Sequence, residues 1–351
     1  MPLTRTTRWG AAALLLLTLA LPARAATGLT QLAGIDGDGP VTVFHPAAGN
    51  ARAVVKGPFT LTVVPDGVPL AGNGRLIVIS HGSGGAPWVY TDLAIALVAA
   101  GYVVALPQHA GDNARDQSAV GPESWKRRPA EVSRAIDAVS RDARLAPLLA
   151  LDRVGMYGMS AGGHTALSLA GGRWSPARLR QHCDAHLEED FQACVGLATR
   201  LTGSWLDAVR LTVARAVIDW KLADASWYTH DDPRIAAVVA GVPYAADFDA
   251  DSLAAPRLPL GLIAARRDRW LHPAFHGDAI RAVCTPCETL ADLADGGHGA
   301  LLSPLPPLGN GLLAELLADP PGYDRERETA AIDQAIVDFF QRHLAPAAPW
   351  M

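Results

Sequence analysis

Four short runs, "RLIVIS" (75–80), "YVVALP" (102–107), "RVGMYG" (153–158) and "IAAVVAGV" (235–242), are apolar over most of their length. A strand with one wet face alternates polar and apolar residues, whereas runs like these need burial on both faces. Longer stretches of helical character separate them, over about 88–100, 123–141 and 162–171. That alternation predicts an α/β fold, a mostly parallel central sheet flanked by helices. "PLGLIAA" (259–265) and "ETLADL" (288–293) extend the sheet. "ETAAIDQAIVDFFQRHL" (328–344) closes it as an amphipathic helix with Ile332, Ile336, Phe339 and Phe340 on one face. Ahead of the parallel strands, "VTVFHP" (41–46) and "FTLTVVP" (59–65) read as an opening antiparallel pair.

The 351 residues, half of them apolar, are enough for one large domain or two small ones with a sizeable core. A formal net charge of -5 and the lack of any basic run set nucleic acid aside as the main partner. The first 25 residues have the pattern of a secretory leader: Arg5 and Arg8, then "AAALLLLTLAL" (11–21), then the small-residue cleavage pattern "ARA" (23–25). That apolar run is too short to span a bilayer. No later run is long enough either, so no integral membrane segment is expected after cleavage. Loss of Arg5, Arg8 and Arg24 with the leader takes the net charge from -5 to -8. The expected location is periplasmic or secreted, with residues 26–351 as the mature domain.

Export puts Cys183, Cys194, Cys284 and Cys287 in an oxidising compartment, where all four can pair. Proximity favours Cys183–Cys194 and Cys284–Cys287 among the three possible pairings. "CTPC" as a redox site is the alternative, but it does not sit on a first βα turn. Residues 173–230 interrupt the strand–helix rhythm. Within them Leu206, Val209, Val213, Val217 and Trp220 recur at helical spacing. The two readings are an extra helix packed on the core and a helical cap inserted over the mouth of the sheet, the latter preferred. Trp174, Trp205, Trp220 and Trp227 would suit an apolar pocket roof there.

"GMSAG" (158–162) follows a strand and opens a helix. A G-x-S-x-G in that setting predicts a nucleophile elbow, with the Ser160 hydroxyl projecting from a sharp turn that side chains at 158 and 162 would obstruct. A phosphate loop fits less well, since no Lys-Ser/Thr follows the glycines and the spacing is not G-x-G-x-x-G. A serine nucleophile needs a base, an orienting acid and an oxyanion hole. "SHGSGG" (80–85) follows a buried strand, and its Ser83 N–H with that of Ala161 would form the hole. Asp268 follows the strand at 259–265 and is the chosen acid; Asp247 or Asp249 is the fallback, and ion pairing of Asp268 with neighbouring arginines is the bland alternative. His298 in "DGGHGALL" is the chosen base. His81 reads as a brace for its loop, His109 as a residue lining the pocket, and His164 as packing behind the elbow.

These segments carry a resemblance. "VISHGSGG" (78–85), "AAGYVVALPQHAG" (99–111), "RVGMYGMSAGGHTALSLAGG" (153–172), "DPRIAAVVAGVP" (232–243), the Asp268 turn and "GGHGALL" are similar to serine α/β-hydrolases. The chain most resembles the exported dienelactone-hydrolase-like group related to platelet-activating-factor acetylhydrolases. The resemblance spans roughly residues 75–302 and implies an α/β-hydrolase fold and cofactor-free esterase chemistry on Ser160, Asp268 and His298. The expected substrate is a small-molecule or lipid-like carboxylic ester. Dienelactone hydrolases proper carry Cys where this chain has Ser160, and relatives of the acetylhydrolase kind can place the acid one strand earlier, near Asp247. An amidase or peptidase on the same triad and a non-catalytic binding protein on this fold are the alternative functions.

Overall fold

The computed structural model describes residues 25–345, so all of the expected leader except Ala25 lies outside the described residues. Five strands come first: β1 (Ala26–Leu32), β2 (Val41–Ala48), β3 (Arg52–Lys56), β4 (Phe59–Pro65) and the two-residue β5 (Val68–Pro69). Then come β6 (Leu76–Ser80), α1 (Thr91–Ala99), β7 (Val103–Pro107), α2 (Pro122–Trp125), α3 (Arg128–Arg141), β8 (Val154–Met159) and α4 (Ala161–Leu169). The main sheet runs β13-β12-β10-β8-β6-β7-β2-β1-β4-β3, where β10 is Ile235–Gly241, β12 is Leu260–Ala265 and β13 is Glu288–Leu293. From β13 to β7 every pairing is parallel.

Every residue of β6, β7 and β8 is buried, which explains why those runs carry almost no polar residues. Side chains alternate across the pleat. Val78 and Met156 join α3 and α4 in one core; Ile77, Ile79 and Tyr157 join α1 and α10 (Arg325–Leu344) in the other. Ile332, Ile336, Phe339 and Phe340 are all buried, as the helical pattern requires.

The opening strands differ from expectation. β2 and β4 are not partners. β1 lies between them, antiparallel to β2 along its whole length and parallel to β4. β4 instead forms a hairpin with β3 across a turn where Gly57 takes a φ of +59°. The other edge of β2 pairs antiparallel with β7, which ties the antiparallel strands to the parallel ones.

Residues 173–230 contain a two-residue strand β9 (Arg173–Trp174), paired with β11 (Phe248–Asp249), and the helices α5 (Pro176–His186), α6 (Phe191–Val195) and α7 (Asp207–Lys221). Cys183 is paired with Cys194 here, and Cys284 with Cys287 farther on. The apolar stripe on α7 does not face the core. Leu206, Val209, Val213, Val217 and Trp220 are exposed, and the helix is seated by Ala214 and Ile218 on its other side. The four tryptophans do not form a common roof. Trp174 is buried against Trp125 and Tyr228, while Trp205, Trp220 and Trp227 are exposed.

Two outcomes follow. Phe340→Ala should leave a cavity between α10 and the sheet and lower unfolding free energy by about 3–5 kcal/mol in chemical denaturation. Burial, reinforced by the Asp92 carboxylate, pushes the Asp333 acid up to about 7. An acid raised in the folded state holds more protons there than when unfolded, so its cost appears as pH rises from about 4 to 7. Asp333→Asn should therefore raise the melting temperature at pH 8 more than at pH 4.

Candidate active site

Strand β8 ends at Met159, α4 starts at Ala161, and Ser160 makes the whole turn between them at φ 58°, ψ -118°. A non-glycine residue at positive φ costs on the order of 1–3 kcal/mol, and the surrounding structure must enforce it. Here the Ser160 N–H donates to Gly241 O at 3.1 Å, while Ser160 O accepts from His164 N at 3.0 Å and Tyr244 N at 3.1 Å. The glycines are required by contact. A Cβ on Gly158 would lie 1.9 Å from Gly162 O, and one on Gly162 would lie 1.9 Å from Ser80 O. Both obstacles are backbone, so no side-chain rotation relieves them.

The turn aims Ser160 Oγ at His298 Nε2, 3.0 Å away, and His298 Nδ1 lies 2.7 Å from Asp268 Oδ2. An ionised carboxylate only accepts, so the His298 proton belongs on Nδ1 and Nε2 is free to accept from the serine hydroxyl. Asp268 follows β12 and is itself held. Its Oδ1 accepts from the N–H groups of Trp270 at 2.8 Å and Leu271 at 3.0 Å, which turns Oδ2 toward the imidazole. His298 follows β13 in a short 3₁₀ turn. Beneath that turn, Arg325 Nη1 donates to Gly299 O at 3.0 Å and Tyr323 Oη donates to Ala300 O at 2.8 Å. Three residues separated by 138 and 30 positions in the chain thus form one line of hydrogen bonds.

Asp247 is elsewhere. Its Oδ2 lies 3.0 Å from His164 Nε2, both side chains being fully buried behind the elbow. Asp249 pairs with Arg173 on the surface. Neither fallback acid bonds to His298 among the described residues. His109 does not line a pocket. It is fully buried, with Nε2 2.7 Å from Ser80 Oγ and Nδ1 2.5 Å from Glu131 Oε2. Burial and then the Arg128 charge hold its pKa well below the usual imidazole value, which keeps it neutral.

The loop after β6 lies against the elbow; a Cβ on Gly82 would be 3.6 Å from Ser160 Cβ. Gly82 N–H donates to Tyr90 Oη at 3.1 Å, Gly84 N–H to Asp112 Oδ1 at 2.8 Å and Gly85 N–H to Gly82 O at 3.0 Å. Among the described residues, Ser83 N–H and Ala161 N–H have no such partner. Ala161 also sits at the first turn of α4, where the helix leaves its N–H groups unpaired and favours negative charge. Tyr90, Asp112 and Arg128 had no sequence signal as site residues. Arg128 opens α3 in "WKRRPAE", where its charged neighbours Lys126 and Arg127 leave nothing to single it out.

No family model matches the chain, and no curated protein matches it. Among solved structures it is similar to a ferulic acid esterase from Streptomyces cinnamoneus. The TM-score is 0.53, over 94% of this chain and 96% of that one, at 15% sequence identity. In this chain the likeness spans the parallel sheet and the helices on both of its faces. The fold is that of the α/β-hydrolases. Ser83, Ser160, Asp268 and His298 follow the carboxyl ends of β6, β8, β12 and β13, on one edge of the sheet.

Gly162→Ala should disrupt the packing of α4 against β6. The expected result is a lower melting temperature and a poor soluble yield, whereas Gly309→Ala, on a residue with no heavy atom within 4 Å of its Cβ position and no positive φ, serves as the surface control.

Proposed function

We propose that this α/β-hydrolase is a carboxylic ester hydrolase working through an acyl-enzyme. The observation that carries the reading is the line Asp268–His298–Ser160, at 2.7 and 3.0 Å, ending on a serine held at positive φ at a helix N-terminus. His298 Nε2 takes the Ser160 proton as Oγ attacks the ester carbonyl carbon. The carbonyl oxygen becomes an oxyanion facing the N–H groups of Ser83 and Ala161. The tetrahedral species collapses, and His298 returns the proton to the departing alcohol. Water, deprotonated by the same imidazole, then attacks the acyl-enzyme and releases the acid and Ser160. Asp268 keeps the imidazole in the tautomer that both half-reactions need.

Within the fold we group the chain with the exported dienelactone-hydrolase-like and acetylhydrolase-like proteins, on the segments quoted above. Residues 1–25 are read as a removed leader and residues 173–230 as a cap insertion; the two disulfides fit an oxidising compartment. Ester substrates are favoured, and the ferulic acid esterase neighbour makes an aromatic acyl group one worthwhile arm of the test.

The test is a p-nitrophenyl ester chain-length series, together with a ferulic acid ester, on the mature protein. Ser160→Ala should lower kcat on the order of 10⁶-fold. Asp268→Asn should lower it about 10⁴-fold by favouring the wrong imidazole tautomer. Turnover that survives Ser160→Ala would sink the assignment. Equal cleavage of matched amides would move it to an amidase.

A further inference from the structure

Beneath the loop that follows β6 lies an ion pair sealed from solvent. Arg128 Nη2 is 2.8 Å from Asp112 Oδ2, and both side chains have no exposed area. A buried pair of this kind gives little net stability compared with apolar residues of the same size, so its geometry is the more informative feature. Asp112 Oδ1 accepts from Ser83 Oγ at 2.7 Å and from Gly84 N–H at 2.8 Å. Arg128 Nη1 donates to His81 O at 2.5 Å, and its Nε donates to Ser124 Oγ at 2.8 Å. One guanidinium therefore holds the loop on both sides of Gly82, directly at residue 81 and through Asp112 at residues 83 and 84.

The direction of the Ser83 N–H follows from the other half of its peptide. In a planar trans peptide the N–H points opposite to the preceding carbonyl. That carbonyl, Gly82 O, accepts from His81 Nδ1 at 2.8 Å and from Gly85 N at 3.0 Å. His81 can donate from Nδ1 because its Nε2 accepts from His109 N at 3.3 Å. Burial, then His109 and Arg128, hold its pKa well below the usual value, so the ring stays neutral in that tautomer. With Gly82 O tied back and the Ser83 side chain fixed to Asp112, the Ser83 N–H is left facing away from its own loop. Burial alone would raise the Asp112 acid; Arg128 and the donors from Ser83 and Gly84 outweigh it and hold it ionised. A lone carboxylate beside a developing oxyanion would oppose it, and Arg128 cancels that charge.

We propose that Asp112 and Arg128 are positioning residues that clamp the loop 81–84 and aim the Ser83 N–H at the oxyanion. This rests on the ester-hydrolase reading above. Neither residue touches the reacting atoms. Both act through Ser83, so their loss should weaken binding of the tetrahedral state and leave substrate binding nearly as it was.

The test uses Ser83→Ala, which keeps the N–H but removes the hydroxyl tether, and the paired replacement Asp112→Leu/Arg128→Met, which removes both charges together. Three quantities are measured: kcat and KM on a p-nitrophenyl ester, Ki for an aryl boronic acid that forms a tetrahedral Ser160 adduct, and amide hydrogen exchange of residues 81–85. The paired variant should lose about 10²–10³-fold in kcat, the range for loss of one oxyanion donor, and Ser83→Ala about tenfold. KM should stay within about twofold, and Ki should rise in step with the loss of kcat/KM. Exchange of the loop amides should quicken while the melting temperature of Ser83→Ala stays put. Wild-type kcat and exchange in the variants would overturn the clamp, as would faster exchange with unchanged kcat. If the paired variant does not fold, Ser83→Ala alone decides by the same readings. A wild-type chain with no Ser160-dependent turnover would overturn the hydrolase reading and with it the clamp's catalytic purpose; loop exchange would then still decide whether the tether holds the loop.

Discussion

The structure turns on a single strained residue. Ser160 reverses the chain from β8 into α4 within one position, and a positive φ at a residue with a side chain persists only where its surroundings enforce it. The enforcement is steric and polar together. Gly158, Gly162 and Gly163 let α4 approach β8, the loop after β6 and the segment after β10 more closely than any Cβ allows. Gly241 O, His164 N and Tyr244 N then bind the Ser160 backbone from three directions. A hydroxyl raised on such a turn has few rotamer choices left, which is the preorganisation a nucleophile needs.

The layers around that turn divide the labour. The apolar strands and the two helix layers supply rigidity through burial. Around the candidate site, buried polar groups hold one another in place. Asp268 is oriented by two backbone N–H groups, the His298 turn by Arg325 and Tyr323, and the loop after β6 by Asp112, Arg128 and His81. In a medium of low dielectric each of these bonds is strong and each unpaired partner would be costly. Behind the elbow His164 bonds to Asp247 and His109 to Glu131, and His164 Nδ1 and Asp247 Oδ1 have no hydrogen-bond partner among the described residues.

Periodicity alone was a good guide where burial is two-sided or where a helix lies on the sheet, as with β6, β7, β8, β10 and α10. It failed in two instructive places. β1, "ATGLTQL", has too weak a pattern to announce itself beside the expected leader, so its insertion between β2 and β4 was hidden; strand order is a matter of pairing, which local pattern does not encode. On α7 the stripe through Val209, Val213 and Trp220 satisfies every helical spacing rule and yet faces solvent, because the helix packs through Ala214 and Ile218. Amphipathic spacing says that a face is apolar, not what covers it.

The sequence by itself determined the class of fold, the strand–Ser–helix turn and the candidates Ser160, Asp268 and His298. Each is a local statement: a run that tolerates no polar residue, glycines where no Cβ fits, an acid and a histidine just past strand ends. Only the tertiary structure decided that Asp268 rather than Asp247 lies beside His298, since both follow strands and differ only in which neighbour the sheet order presents to them. It also decided that Arg128 and Asp112 belong under the loop after β6. They are 16 residues apart, and their ion pair exists only because α3 and the segment after β7 meet beneath that loop, where both charges are removed from water together.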